Sequence, residues 1–308
     1  MKIAVFGAGA IGPFYAARLI QSGHDVAIVA RGQTQDALRK RGIRLNGPDG
    51  STHIDSVTAS DDPTDLGSVD LVIVAVKAWQ IPEIAPSIHT LMHDQTAVLP
   101  LQNGVEAADQ LAATLGARHV LNGMTKVIAR TAEPGVVEDL GFHPAIAAGE
   151  LQNESSSRLE EIEKVFESAG VTFERPADIE ATVWEKFLFI ASVSGIGAIT
   201  RTKIGTLRRL PETRDLLARS MTETYRVGLA KGVGFSDTIV DETMQFVDRL
   251  PEESTASLQR DIMAGRPSEL ESQIGAVVRF GDRLEIDTPI NRFVYSALLP
   301  MELAARGR

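Results

Sequence analysis

The first thirty residues constrain the fold more than any other stretch of this chain. Lys2-Ile3-Ala4-Val5-Phe6 reads as a short buried strand and runs straight into Gly7-Ala8-Gly9-Ala10-Ile11-Gly12, which fits G-x-G-x-x-G. An apolar helical pattern continues to Gly23, and Val26 to Ala30 reads as a second strand. Strand, glycine turn, helix and strand in this order open a dinucleotide-binding fold. Gly7 allows the tight turn, Gly9 lets the backbone approach a pyrophosphate, and Gly12 lets the helix pack closely on the strand. The helix N-terminus offers free N–H groups and a positive dipole end to the phosphates.

The end of the second strand chooses between cofactors. Binders of NAD carry Asp or Glu there, about 20 residues past the glycines, to hold the ribose 2′-hydroxyl. Here the position holds Arg31, no acid lies between Val26 and Gln35, and Asp25 precedes the strand. A carboxylate would repel a 2′-phosphate, whereas a guanidinium can pair with it through two bonds. The expectation is therefore NADP(H); the alternative is a solvated surface arginine.

Length and composition narrow the class. A chain of 308 residues suggests two domains. The net charge of −10 comes without any basic run or aromatic-interleaved basic patch, so nothing supports nucleic-acid binding. Cysteine is absent, which excludes disulfides, thiolate catalysis and cysteine-ligated zinc. The six histidines show no metal-ligand spacing, so no metal site is expected. No segment approaches the ~18 unbroken apolar residues of a membrane span, and the N-terminus reads as a strand rather than a signal peptide. A cytoplasmic protein with no membrane partner is the expectation.

The first half alternates strands and helices. Leu71 to Val76 is a β-branched run of the kind buried on both faces of a parallel sheet, and Thr96 to Leu101 is another. His119-Val120-Leu121 and Lys126-Val127-Ile128-Ala129 read as shorter strands, and Gly135 to Glu138 and Ala145 to Gly149 as extensions of the same sheet. Ser155 to Ala169 reads as a helix closed by Gly170, with a last strand at Val171-Thr172-Phe173. From Asp178 onward 3.6-period apolar stripes predict helices over 178–194, 211–231, 236–250, 255–264, 268–283 and 289–305. The fold expected is an α/β Rossmann-type N-terminal domain with a parallel sheet over 1–177, followed by an all-α C-terminal domain over 178–308. In such folds ligands bind beyond the carboxyl ends of the strands, here in the cleft expected between the domains.

Several residues could do chemistry. Lys77 follows the strand read over 71–76 and stands at the carboxyl edge, unless it only marks where the strand meets water. Asn103-Gly104 follows the next strong strand and could contact a ligand or simply form a turn. Lys186 lies on a helix that is apolar nearly all round after it, so it either snorkels from one end or points into a polar cleft as a proton donor. Ser268-Glu269-Leu270-Glu271 reads as a capping box, which makes Glu269 a first-turn carboxylate favoured by the helix dipole or a site residue. Ser257 is a helix-start hydroxyl or a substrate contact.

Together Gly7 to Gly12, Arg31, Val76-Lys77-Ala78-Trp79-Gln80, Gln102-Asn103-Gly104, Trp184-Glu185-Lys186-Phe187, Ser257-Leu258-Gln259-Arg260-Asp261 and Glu269 resemble the ketopantoate reductase (2-dehydropantoate 2-reductase) family over essentially the whole chain. The resemblance implies NADPH-dependent reduction of a 2-keto acid in pantothenate biosynthesis, with Lys186 as the catalytic proton donor. It implies cofactor contacts at Gly7, Ala8, Gly9, Ala10, Ile11, Gly12, Arg31, Lys77, Asn103, Ala129 and Glu269. Substrate contacts fall on Asn103, Lys186 and Ser257, the partner is a small-molecule keto acid, and a homodimer is compatible with it. Where family members often carry asparagines on the substrate side, this chain has Ile190, Ser194, Ile204 and Ser254. Two other readings stay open: another NADP-dependent hydroxyacid-type dehydrogenase, and a non-enzymatic NADP(H) sensor.

Overall fold

The computed structural model describes residues 1–48 and 50–308. The chain divides into two compact units. The first comprises Met1–Gln102 and Glu106–Ile179; the second comprises Asn103–Val105 and Glu180–Arg308.

The first unit begins with β1 (Lys2–Phe6), α1 (Ile11–Gln21), β2 (Asp25–Val29) and α2 (Gly32–Arg41). A hairpin follows, β3 (Ile43–Gly47) and β4 (Gly50–Ile54), then β5 (Thr58–Ser60), β6 (Leu71–Val74), α3 (Ile81–Ile88), β7 (Ala97–Pro100) and α4 (Ala107–Leu115). The unit closes with β8 (Leu121–Lys126), β9 (Ala129–Glu133), β10 (Val136–Asp139), β11 (Ala145–Glu150), α5 (Ser157–Ser168) and β12 (Thr172–Glu174). The main sheet runs β5-β2-β1-β6-β7 and every pair in it is parallel. Counting only these strands the order is 3-2-1-4-5, the doubly wound arrangement whose direction reverses between β1 and β6.

The apolar runs of the sequence explain this sheet. Side chains alternate across a strand, so both faces must be covered. Ile3, Val5, Ile73 and Leu99 point into one core with Phe14, Leu19 and Phe166, from α1 and α5. Ala4, Phe6, Val72 and Val98 point into another with Ile84 and Leu111, from α3 and α4.

Three features differ from expectation. Strand β6 ends at Val74 rather than Val76, so Ala75 and Val76 separate it from Lys77. The segments after residue 120 do not extend the main sheet. β9 and β10 join β3 and β4 in a second sheet, and β8, β11 and β12 form a third. The strand read over 126–129 is split, with Lys126 ending β8 and Ala129 opening β9. A short strand cannot announce its partner, because pairing is set by contacts distant in sequence.

The second unit is helical: α6 (Ile179–Thr200, whose first residue clusters with the first unit), α7 (Ile204–Arg209), α8 (Pro211–Lys231), α9 (Ile239–Arg249), α10 (Ser257–Met263), α11 (Ile274–Leu284) and α12 (Pro289–Ala305). Its central helix α6 is long and apolar enough to cross a membrane by length and composition alone, but 67% of that window is buried inside the protein, as in a core helix. The helix expected from Ser268 begins only at Ile274. The capping box does not form: Ser268 Oγ accepts from Leu270 N at 3.2 Å, while Glu271 pairs with Arg279 and Tyr295.

Candidate active site

In the first unit the glycine turn is built as the motif demands. Gly7 has φ +108°, and a Cβ there would stand 2.7 Å from the Ala75 carbonyl carbon and oxygen, so the chain after β1 runs against the chain after β6. A Cβ on Gly12 would lie 1.9 Å from Gly7 O. Above Gly9, by contrast, a Cβ would meet nothing within 4 Å. Among the described residues no side chain caps the N-terminus of α1, and its first turn holds no acid. Free N–H groups beside open space at an exposed glycine fit a dinucleotide pyrophosphate. Ala8, Ala10 and Ile11 are half-buried around this turn.

Arg31 stands just before α2, two residues past β2, and its side chain is 66% exposed. Its Nη1 donates to Glu83 Oε1 at 2.7 Å, from the first turn of α3. The sequence reading missed Glu83, because it lies 52 residues away with no motif to mark it. Lys77 leads into a 3-10 turn, Ala78–Gln80, and its Nζ stands 5.8 Å from the centre of the Trp79 ring. Its backbone N–H donates to Gln80 Oε1 at 3.1 Å. Buried Gln102 braces the carboxyl end of β6 by donating from Nε2 to Val74 O at 2.8 Å and Val76 O at 3.0 Å. Ala129 is half-buried at the start of β9, in the second sheet.

In the second unit, Lys186 sits on a turn of α6 that cannot rotate. Its neighbours Trp184 and Phe187 are each 1% exposed and meet edge to face at 5.4 Å. Trp184 also packs on Phe280 of α11 at 5.5 Å. With these rings committed to the core, Lys186 falls on a half-buried strip that includes Thr182 and Ile190. Residues four apart lie one above another on a helix. From Ala191 to Ala198 the helix is buried all round.

Asn103 to Val105 cluster with this helical unit rather than with the sheet they leave. Gly104 has φ +124°, and a Cβ there would stand 2.8 Å from Ser272 O. Val105 packs against the cluster of Trp184, Phe187 and Phe280. The Asn-Gly pair therefore does more than turn the chain: it lets the backbone lie against the segment that carries Glu269.

Glu269 is 5% exposed. Gln273 Nε2 lies 3.5 Å from its Oε2, and Gln273 is fully buried with an Oε1 that has no hydrogen-bond partner among the described residues. The segment is anchored from α12. Glu302, 2% exposed, accepts from Ser268 N at 3.0 Å and Ser268 Oγ at 2.5 Å. Arg306 completes the clamp, donating from Nε to Glu302 at 2.6 Å and from Nη2 to Ser268 O at 3.0 Å. Gln273 and Glu302 were not legible as site residues in the sequence; a buried glutamate on a helix reads like any other. Ser257 is the half-buried first residue of α10, whose N-terminus has no side-chain cap.

A doubly wound unit with an unobstructed glycine turn at a helix N-terminus, followed in the chain by a helical unit with a lysine on its central helix, defines a class: the two-unit dinucleotide-dependent oxidoreductases. Residues 3–153 match the family described as "Ketopantoate reductase PanE/ApbA", and residues 178–302 match its C-terminal counterpart. The chain belongs to the ketopantoate reductase family. The 2-dehydropantoate 2-reductase of Halobacterium salinarum is 30% identical over 295 residues, covering 95% of this chain and 96% of that one. Among solved structures, a PanE/ApbA family ketopantoate reductase from Ralstonia eutropha JMP134 superposes with a TM-score of 0.91 at 29% identity, covering 99% of this chain and all of that one. A D-mandelate dehydrogenase solved with NADH and anilino(oxo)acetate also gives 0.91, with 99% of each chain covered. At 20% identity that likeness shows the shared fold alone.

Proposed function

We propose that this protein reduces a 2-keto acid of the ketopantoate type to the 2-hydroxy acid, with NADPH as reductant. One observation carries the reading: Lys186 is held on a locked turn of α6, in a chain whose other unit keeps an unobstructed glycine turn at Gly9. NADPH, when bound, supplies a hydride for the ketone carbon. The free helix N-terminus behind Gly9 receives the pyrophosphate, and Arg31 pairs with the 2′-phosphate. Lys186 gives a proton to the ketone oxygen as negative charge develops there, so the product gains one hydride and one proton. Asn103, fixed through Gly104 and Val105, orients the ketone, and Ser257 contacts the substrate. Lys77, Ala129 and Glu269 complete the cofactor contacts.

The test is Lys186→Ala with NADPH oxidation as the readout. Turnover on 2-keto acids should fall by about 10²–10⁴, the range for a lost general acid, while NADPH binding followed by fluorescence persists. Near wild-type turnover would remove Lys186 from the role. Wild-type activity confined to phosphorylated ketones would reject the substrate class.

A further inference from the structure

We propose that Gln259 is a positioning residue for the substrate: its buried amide docks α10 on the far end of α6 and so fixes the direction in which Ser257 is presented. The proposal rests on the reading of Ser257 as a substrate contact given above. Helix α10 has seven residues and, among the described residues, no side-chain cap at its N-terminus. So short a helix has little stability of its own, and what it packs on decides how it lies. Leu258 and Ile262, four apart, anchor one stripe of it in the core of the helical unit. Apolar packing is non-directional, whereas a hydrogen bond weakens steeply with angle.

Gln259 supplies the directional contact. It is 2% exposed and donates from Nε2 to the Thr202 carbonyl at 2.8 Å. Helix α6 ends at Thr200, and Arg201, with φ +55°, turns the chain before Thr202. The amide lies over Gly197 on the last turn of α6: a Cβ there would stand 2.7 Å from Gln259 Oε1 and 3.1 Å from its Cδ. Glycine is among the poorest residues for a helix interior, so a buried glycine at 197 calls for a packing reason, and the amide provides one. With Leu258, Gln259 and Ile262 committed to the interior, Ser257 and Asp261 fall on the half-buried side of α10. Any shift of α10 that frees the amide carries Ser257, two residues away, with it.

The experiment measures KM and kcat for ketopantoate, and the Kd of NADPH, in Gln259→Ala, Gly197→Ala, their double variant, Ser257→Ala, and Gln259→Ala combined with Ser257→Ala. Loss of one neutral hydrogen bond to the substrate corresponds to about 2- to 10-fold. Gln259→Ala should raise KM by that factor with kcat and NADPH affinity nearly unchanged, because Lys186 and the cofactor contacts are untouched. Gly197→Ala should do the same without removing any hydrogen-bonding group, since its Cβ displaces the flexible end of Gln259; it decides the question alone if Gln259→Ala fails to fold. In the double variant the Cβ finds the space the amide vacated, so KM should be no higher than in Gln259→Ala. In the Ser257→Ala background Gln259→Ala should have no further effect, an outcome a merely structural role would not produce. KM unchanged in Gly197→Ala and Gln259→Ala, or a Gln259→Ala effect that persists in full without the Ser257 hydroxyl, would overturn the inference while leaving Ser257 a substrate contact. A KM that Ser257→Ala leaves unchanged would instead remove the reading of Ser257, and this inference with it.

Discussion

On the proposed reading, cofactor choice turns on a contest between Glu83 and a phosphate for the guanidinium of Arg31. The two side chains stand 2.7 Å apart and are 66% and 60% exposed. At that separation in bulk water the Coulomb attraction is about 1.5 kcal/mol. Side-chain ordering and salt reduce such an exposed pair to about 0–1 kcal/mol. A 2′-phosphate accepting from Arg31 contributes about 1.5–3 kcal/mol per charged hydrogen bond. The phosphate should therefore win, with a surplus of about 0.5–3 kcal/mol, or roughly twofold to 150-fold in favour of NADPH over NADH.

Three variants separate the parts of this argument. Arg31→Ala should abolish the preference by weakening NADPH alone. Glu83→Gln should tighten NADPH up to about fivefold, the equivalent of the ~1 kcal/mol it no longer competes with, and leave NADH unchanged. In the double variant the Glu83→Gln gain should vanish, since it acts only through Arg31. Fluorescence titration of both cofactors at low and high salt provides the measurement, and the preference should shrink as salt screens an exposed pair. A Glu83→Gln gain that survives in the Arg31→Ala background, or that NADH shares, would refute the contest.

Three further outcomes follow from the packing. Gly9→Ala should leave thermal stability unchanged yet weaken both cofactors, because its Cβ fills open space, whereas Gly7→Ala should destabilise by more than ~1 kcal/mol through its φ of +108° and its contact with Ala75; equal effects on stability would contradict this. Glu302→Ala should cost about 3–5 kcal/mol in urea unfolding by stranding Arg306 and the Ser268 amide, and Glu302→Gln, which keeps an acceptor, clearly less. Burial would raise the carboxyl of Glu150, but hydrogen bonds from Arg158 and Ser156 and the charge of Arg158 outweigh it and hold its pKa below the usual range. Its contribution is therefore full above the ordinary glutamate range and is lost as pH falls through the lowered folded value, so Glu150→Gln should flatten the acid limb of a stability–pH curve.

What could be read from the sequence followed the range of the interactions involved. The glycine turn was legible because strand, turn and helix are adjacent in sequence and each glycine meets a local demand. The buried strands were legible because both faces of β1, β6 and β7 are covered, which leaves no polar alternation to confuse the run. The hairpin of β3 and β4 was not, since Arg44, Asn46 and His53 interrupt a pattern that is half exposed. Non-local pairs were invisible: Glu83 with Arg31 across 52 positions, and Glu302 with Ser268 across 34. The expected capping box failed for a related reason: Glu302 holds the Ser268 amide and hydroxyl from 34 positions away, Ser268 Oγ accepts from Leu270 N, and Glu271 pairs with Arg279 and Tyr295 instead of reaching back.

That clamp also explains how two proposed site residues are held by one support. Glu302 and Arg306 fix Ser268 from the last turns of α12, and the segment from Ser268 to Gln273 carries Glu269. The Ser272 carbonyl of that segment lies where a side chain at residue 104 would have to be, so only glycine lets the Asn103 backbone settle there. Val105 then enters the aromatic cluster that locks the turn bearing Lys186. Asn103, Lys186 and Glu269 thus share one continuous body of packing, although they are spread over 167 positions of the sequence. A perturbation at Glu302 should therefore reach turnover by loosening the segment under Asn103, with no contact of its own to the reacting atoms.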